Sequence, residues 1–220
     1  MIGAELFRDL VKRKVPMTRF LPGVFAMAII VVASNILVQY HLGAWLTWGA
    51  ITYPFAFLVT DVMNRVYGPA AARRVVLVGF VIGVGCSLIA AGFDKTTLRI
   101  AIASGSAFLF AQLLDIGVFD ALRNRGGWWT APVTSSFVGS ALDTALFFSI
   151  AFAAQLSFID PSDNVAWANE MIPLLGVGPV APVWASLAAA DWMLKMALCV
   201  LSLVPFRLIV RNILGRDPAF

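Results

Sequence analysis

Six apolar runs, each long enough to cross a bilayer, leave this chain few other ways to fold. They fall at about 20–40, 45–67, 75–91, 98–119, 132–156 and 180–204, and a spanning helix needs ~20 predominantly apolar residues. Turn and breaker residues separate them: Gly68-Pro69, Phe93-Asp94-Lys95, Gly126-Gly127, Asp160-Pro161-Ser162-Asp163 and Gly176-Val177-Gly178-Pro179. The runs use up most of the 60% hydrophobic content, and only 13% of residues are charged, against ~25% in soluble domains. Too little polar surface remains to coat a water-soluble globule. The expected fold is an all-α integral membrane protein with six transmembrane helices over residues 20–210. A basic N-terminal segment, 1–19, and a tail, 211–220, flank it.

The net charge of +4 suits a nucleic-acid binder in a soluble protein, but its distribution points to the membrane. Arg8, Lys12, Arg13, Lys14 and Arg19 precede the first run. Arg65, Arg73 and Arg74 lie between the second and third, Arg123 and Arg125 between the fourth and fifth, and Arg207, Arg211 and Arg216 after the sixth. Only Lys95 and Arg99 fall in the alternate loops, with Lys195 inside a run. This bias predicts that both termini face the cytoplasm. The long fifth loop, carrying Asp160, Asp163 and Glu170 and no base, then lies outside, with a short helix around Trp167. The first run is too long for a cleaved signal peptide and reads as a signal anchor.

Several chemistries drop out. His41 is the one histidine, which leaves no metal cluster and no Ser-His-Asp set. Cys86 and Cys199 sit in apolar runs without zinc spacing and read as packing residues. Gly92-Phe93-Asp94-Lys95-Thr96 lacks the glycines of a phosphate loop, so any energy must come from an ion gradient or another subunit. No cofactor is expected.

The informative residues are polar ones inside the runs. Asp143 lies in the middle of run five, and Asp191 and Lys195 near the middle of run six. Each such charge costs ~2.5–3.5 kcal/mol on insertion scales unless paired or solvated. Asp191 and Lys195 are i and i+4 on one helix and can pair, whereas Asp143 has no partner on its own helix. Asp61 and Asp115 stand nearer the ends of runs two and four, where snorkelling or a pair with Arg65 lowers the cost.

Helical phase then groups these residues. Phe108, Gln112, Asp115 and Phe119 share one face, as do Ser136, Ser140, Asp143 and Phe147, and Trp184, Ala188, Asp191 and Lys195. Phe57, Asp61 and Asn64 share a face of run two, and Asn35 and Gln39 one of run one. Interhelical hydrogen bonding explains isolated Ser or Asn residues, at ~0.6 kcal/mol each, but accounts poorly for four carboxylates. A cavity lined by acceptors and rings suits a planar polar heteroaromatic, and suits a cation about as well. Gly79 and Gly83 predict close helix contact, within the bundle or across a homodimer. Pro54 and Pro205 are candidate kinks.

The order of these residues resembles the queuosine-precursor transporter family, also called VUT. The resemblance is carried by Ala33-Ser34-Asn35-Ile36-Leu37-Val38-Gln39 and by the stretch from Thr47 to Asp61, within which Tyr53 to Asp61 is highly specific. Tyr67-Gly68, Ala72-Arg73-Arg74, Gln112-Leu113-Leu114-Asp115, Trp128-Trp129-Thr130-Ala131-Pro132, Asp143-Thr144-Ala145-Leu146-Phe147-Phe148 and the Asp191…Lys195 pair follow in order. The resemblance implies an importer of the inner membrane for 7-cyano-7-deazaguanine or 7-aminomethyl-7-deazaguanine, used in transfer RNA modification, with no direct contact to nucleic acid. It implies Asp143 or Asp61 on the guanine-like edge, and Asn35, Gln39 and Gln112 on the carbonyl and pyrrole N–H. Asp115 and Ser136 complete the lining, Trp48 or Phe55 stacks on the base, and Asp191 with Lys195 forms a charge pair that rearranges or couples to protons.

Three other readings stand beside it. One is a substrate-binding subunit or carrier for another vitamin or nucleobase, working with a separate energising complex. Another is a membrane enzyme, against which no nucleophile–base set is visible. The last is a structural membrane protein, disfavoured by the charges in runs four to six.

Overall fold

A computed structural model describes residues 20–93 and 95–215. The basic segment 1–19 and the last five residues, including Arg216, lie outside the described residues. Among the described residues, seven α-helices carry the fold. In chain order they are α1 (Leu21–Leu37), α2 (Trp48–Thr52), α3 (Phe55–Tyr67), α4 (Pro69–Gly92), α5 (Leu98–Leu122), α6 (Thr130–Phe152) and α7 (Val183–Leu214). The described strands are two-to-three-residue ladders in loops: β1 (His41–Leu42) with β2 (Leu46–Thr47), and β3 (Met171–Pro173) with β4 (Val180–Pro182), both antiparallel.

Among the described residues four helices, α4 to α7, are long and apolar enough to cross a membrane, and α1 is a shorter apolar helix of 17 residues. Their outer faces are apolar and exposed, as at Phe25, Ile29, Val81, Ile89, Val200 and Leu201, while the carboxylates point inward. This reversal of the soluble pattern makes the chain a multi-pass membrane protein.

The second run is a broken helix, interrupted at Pro54, one of the two candidate kinks. Proline has no N–H to give, so α2 stops before Tyr53-Pro54 and α3 starts after it, bridged by tight i→i+3 bonds from Ala56 N to Tyr53 O and from Phe57 N to Pro54 O. Gly49 lets α2 lie on the end of α1: a Cβ there would stand 2.8 Å from the Val38 backbone. Pro205, in contrast, removes one ladder bond without ending its helix, and the 32-residue α7 runs through it. At ~1.5 Å per residue that exceeds a ~30 Å hydrocarbon core, which carries Arg207 and Arg211 beyond it. The first run also ends sooner than expected: α1 stops at Leu37, and Gln39 falls in the turn beyond it, exposed.

Specific contacts fix the helix directions. Met27, Val31 and Asn35 of α1 meet Gly79, Gly83 and Ser87 of α4, so these helices run parallel. The Gly79–Gly83 pair thus serves packing within the bundle. Thr60 and Asn64 of α3 bond Gln112 and the Ile116 carbonyl of α5, again parallel. Phe108 reaches Gly79 while Gly105 meets Phe80 and Val84, making α4 and α5 antiparallel. The α5–α6 pairing is the most extensive in the molecule.

Arg99, expected in a loop, is fully buried at the start of α5. Its guanidinium donates to the carbonyls of Ile150 and Ala153 at the end of α6, satisfying acceptors that a helix C-terminus leaves open. Thr97 caps α5 by accepting from Ile100 N and donates to Asp163, which ties down the fifth loop. That loop holds three 3-10 turns, Ala154–Ile159, Ala166–Asn169 and Leu174–Gly176, the second at the position expected for a helix near Trp167.

Candidate functional site

The polar faces read from helical phase turn inward and form one seam with two clusters. Phe108, Gln112, Asp115 and Phe119 are all buried, as are Phe57, Asp61 and Asn64, and Ser136, Ser140 and Asp143.

The first cluster is centred on Lys195. Its ammonium donates to Asp143 Oδ2 at 2.6 Å, Asp191 Oδ2 at 2.5 Å and Thr144 Oγ1 at 3.1 Å. Thr144 in turn donates to Asp191 at 2.8 Å. Tyr53 donates to Asp143 Oδ1 at 2.8 Å, and its ring lies 5.5 Å below the Lys195 ammonium. Asp143, which has no partner on α6, therefore draws partners from α7 and from the break between α2 and α3. The two carboxylates share one cation, the arrangement that makes buried charge tolerable.

The second cluster stands about two turns along α6. Asp61 accepts from Ser135 at 3.2 Å and Ser136 at 3.4 Å, and lies beside Asp115. The expected pairing of Asp61 with Arg65 is replaced by these serines. Arg65 and Arg123 instead donate to each other's backbone carbonyls. Thr60 donates to Gln112 Oε1 at 2.6 Å, which leaves the Gln112 amide nitrogen without an acceptor. Gly139 admits this packing, since a Cβ there would meet Phe57 at 2.9 Å and the Asp115 Cβ at 3.1 Å.

Between the clusters runs a narrow cavity bounded by α3, α6 and α7. Asp61, Ser136, Ser140 and Lys195 line it together with Phe57 and Phe206. About 20 Å³ is open to the centre of a water molecule, room for one water and far less than a two-ring base requires.

Some expected site residues lie elsewhere. Asn35 bonds the Val31 carbonyl and accepts from Ser87, linking α1 to α4. Trp48 and Phe55 are 48% and 37% exposed and do not line the cavity, because the Tyr53-Pro54 break turns them away. Gln39 is exposed past the end of α1. Conversely, Tyr53, Thr144 and Ser135 join the two clusters, although helical phase singles out none of them as site residues. Cys199, Ser202 and Phe206 also stand in the cavity wall, and the spacing that grouped Asp191 with Lys195 continues through all three.

Residues 47–210 match the family described as "Putative vitamin uptake transporter". The chain belongs to this family. It is 35% identical to the "Probable queuosine precursor transporter" of Haemophilus influenzae, over 77% of this chain and 70% of that protein. To the "Queuosine precursor transporter" of Escherichia coli it is 31% identical, over 84% and 83% of the two chains. A "Probable queuosine precursor transporter" of Bacillus subtilis is 27% identical, over 80% and 76%. No solved structure matches the chain.

Among the described residues no group of His, Cys, Asp and Glu has the geometry of a metal site. The seam offers hydrogen-bond acceptors, one shared ammonium and aromatic walls, which is the chemistry of binding rather than of bond making.

Proposed function

We propose that this chain imports a 7-deazaguanine precursor of queuosine, the 7-cyano or 7-aminomethyl base, across the bacterial inner membrane. The observation that carries the reading is the buried acceptor-lined cavity between α3, α6 and α7, in a chain of the family whose named relatives are queuosine precursor transporters. Six spans are the arrangement we favour, with α1 the first, α2 and α3 together the second, and both termini in the cytoplasm. The alternating helix directions support it, as does the bias of Lys and Arg.

A deazaguanine edge presents N1–H beside a 2-amino group, two donors that one carboxylate accepts together. Asp61 is better placed for this than Asp143. Its present partners are two serine hydroxyls, which a ligand displaces at little cost, whereas Asp143 is held by Lys195 and Tyr53. Phe57 and Phe206, in the cavity wall, take the stacking role first assigned to Trp48 or Phe55. Gln112 brings an unused amide N–H for a ring acceptor. Because the closed cavity is too small for the base, α7 and the α2–α3 elbow must move away from α6 for it to enter.

The test is uptake in a host unable to make the precursor, read out as queuosine in its transfer RNA. The expected result is queuosine on feeding either base, and its loss in Asp61→Asn at normal membrane levels. Absence of queuosine with the unsubstituted chain would sink the proposal.

The family description favours one second reading, a vitamin-binding membrane subunit that needs a separate energising complex. Tight binding of a vitamin, with no uptake by the chain alone, would establish it.

A further inference from the structure

Asp61 and Asp115 approach each other from α3 and α5 within hydrogen-bonding reach. They are 3% and 0% exposed. Serine hydroxyls serve Asp61; Ser135 also stands near Asp115, but its one proton is given to Asp61, and neither oxygen of Asp115 receives a hydrogen bond from the described residues. An ionised carboxylate can only accept hydrogen bonds. Two ionised carboxylates in contact would repel and form no bond. A single proton between them turns one into a donor, supplies the missing bond and removes the repulsion, as in other carboxyl pairs that share a proton.

The groups facing the pair offer no cation in the proton's place. From α7 come Cys199, beside Ser136 and within electrostatic range of both carboxyls, and Lys195, which is committed to Asp143 and Asp191. From α6 come Ser135 and Ser136, with Asp143 about two turns away. Arg65 on α3 donates to the Arg123 carbonyl, and Arg123, at the end of α5, pairs with Asp120. On α4, Arg73 and Arg74 point outward and are exposed.

We propose that Asp61 and Asp115 form a proton-binding site that is occupied while the cavity is closed, and that opening the cavity to water releases this proton. The step is one acid dissociation: the carboxyl O–H bond breaks, the proton passes to cavity water, and hydration takes over stabilising the second negative charge. Asp61 lines the cavity directly, so the pair senses water there. The site does not depend on which substrate is carried, so its test uses none and is separate from the uptake assay.

Two measurements on the full chain in lipid nanodiscs decide it. The first is the infrared band of a protonated carboxyl, followed with rising pH. The unsubstituted protein is expected to show the band at neutral pH and lose it on alkalinisation, and absence of the band would overturn the proposal. The second is alkylation of Cys199 by a water-soluble maleimide, in a Cys86→Ser background. Its rate is expected to rise with pH one proton more steeply than in Asp115→Asn, the comparison removing the thiol's own titration. The carboxyl band is also expected to vanish in Asp115→Asn, or in Asp61→Asn should the first variant not reach the membrane. Persistence of the band and an unchanged slope in the variant that does would overturn the assignment.

Discussion

Asp143 and Asp191 share one ammonium, whereas Asp61 and Asp115, about two turns away on the same seam, have serine hydroxyls and each other. The Lys195 cluster is an ion network in which every named carboxylate has a charged partner and a hydroxyl on hand. The Asp61 cluster is short of donors, with Asp115 wholly unserved. The difference teaches that buried carboxylates in one bundle need not play one role. The first set locks α6, α7 and the α2–α3 elbow together. The second keeps spare acceptor capacity beside the cavity, which a ligand's N–H groups or a proton can fill.

The contrast breaks most sharply at Lys195. Lys195→Met leaves two buried carboxylates without their cation, and breaking a buried pair costs ~3–5 kcal/mol. The thermal midpoint in detergent should fall further than for any other substitution here. An unchanged midpoint would mean that the network holds nothing in place. Tyr53→Phe removes one hydrogen bond to a charged acceptor, a loss of ~1.5–3 kcal/mol. It should loosen the elbow, seen as faster proteolysis near the β1–β2 turn. Ser135→Ala takes one hydroxyl from Asp61 and should cost ~1 kcal/mol, measurable by the same melting assay. The smallest effect is expected at Asp115→Asn, under ~1 kcal/mol, since an amide can donate to Asp61 where a carboxylate cannot. If Asp115→Asn proved as destabilising as Lys195→Met, the two clusters would not differ in kind.

Much of this was legible from spacing. The 3.6-residue phase that grouped Gln112 with Asp115, and Ser140 with Asp143, marks faces that are buried in the fold, because in a bundle surrounded by lipid the polar stripe must turn inward. The i, i+4 relation correctly paired Asp191 with Lys195. Phase within one helix says nothing of partners on another, so the Asp143–Lys195 bond and the Tyr53 hydroxyl were invisible. Arg99 misled for a related reason. A charge at the end of an apolar run looks like a loop residue, and only the fold brings the open carbonyls of α6 to it. The stacking role of Trp48 or Phe55 is implied by the resemblance alone, and the break at Tyr53-Pro54 leaves both outside the cavity wall. Gly79 and Gly83 were read for close contact, and the contact is with α1.

The buried guanidinium of Arg99 has a mechanical consequence. By gripping the last carbonyls of α6 from the first turn of α5, it pins these helices at one end, and their long mutual contact does the rest. The pair acts as a stator. α7 and the Tyr53-Pro54 joint have no such grip on that hairpin's end: they meet it through the side chains of Lys195 and Tyr53 at Asp143.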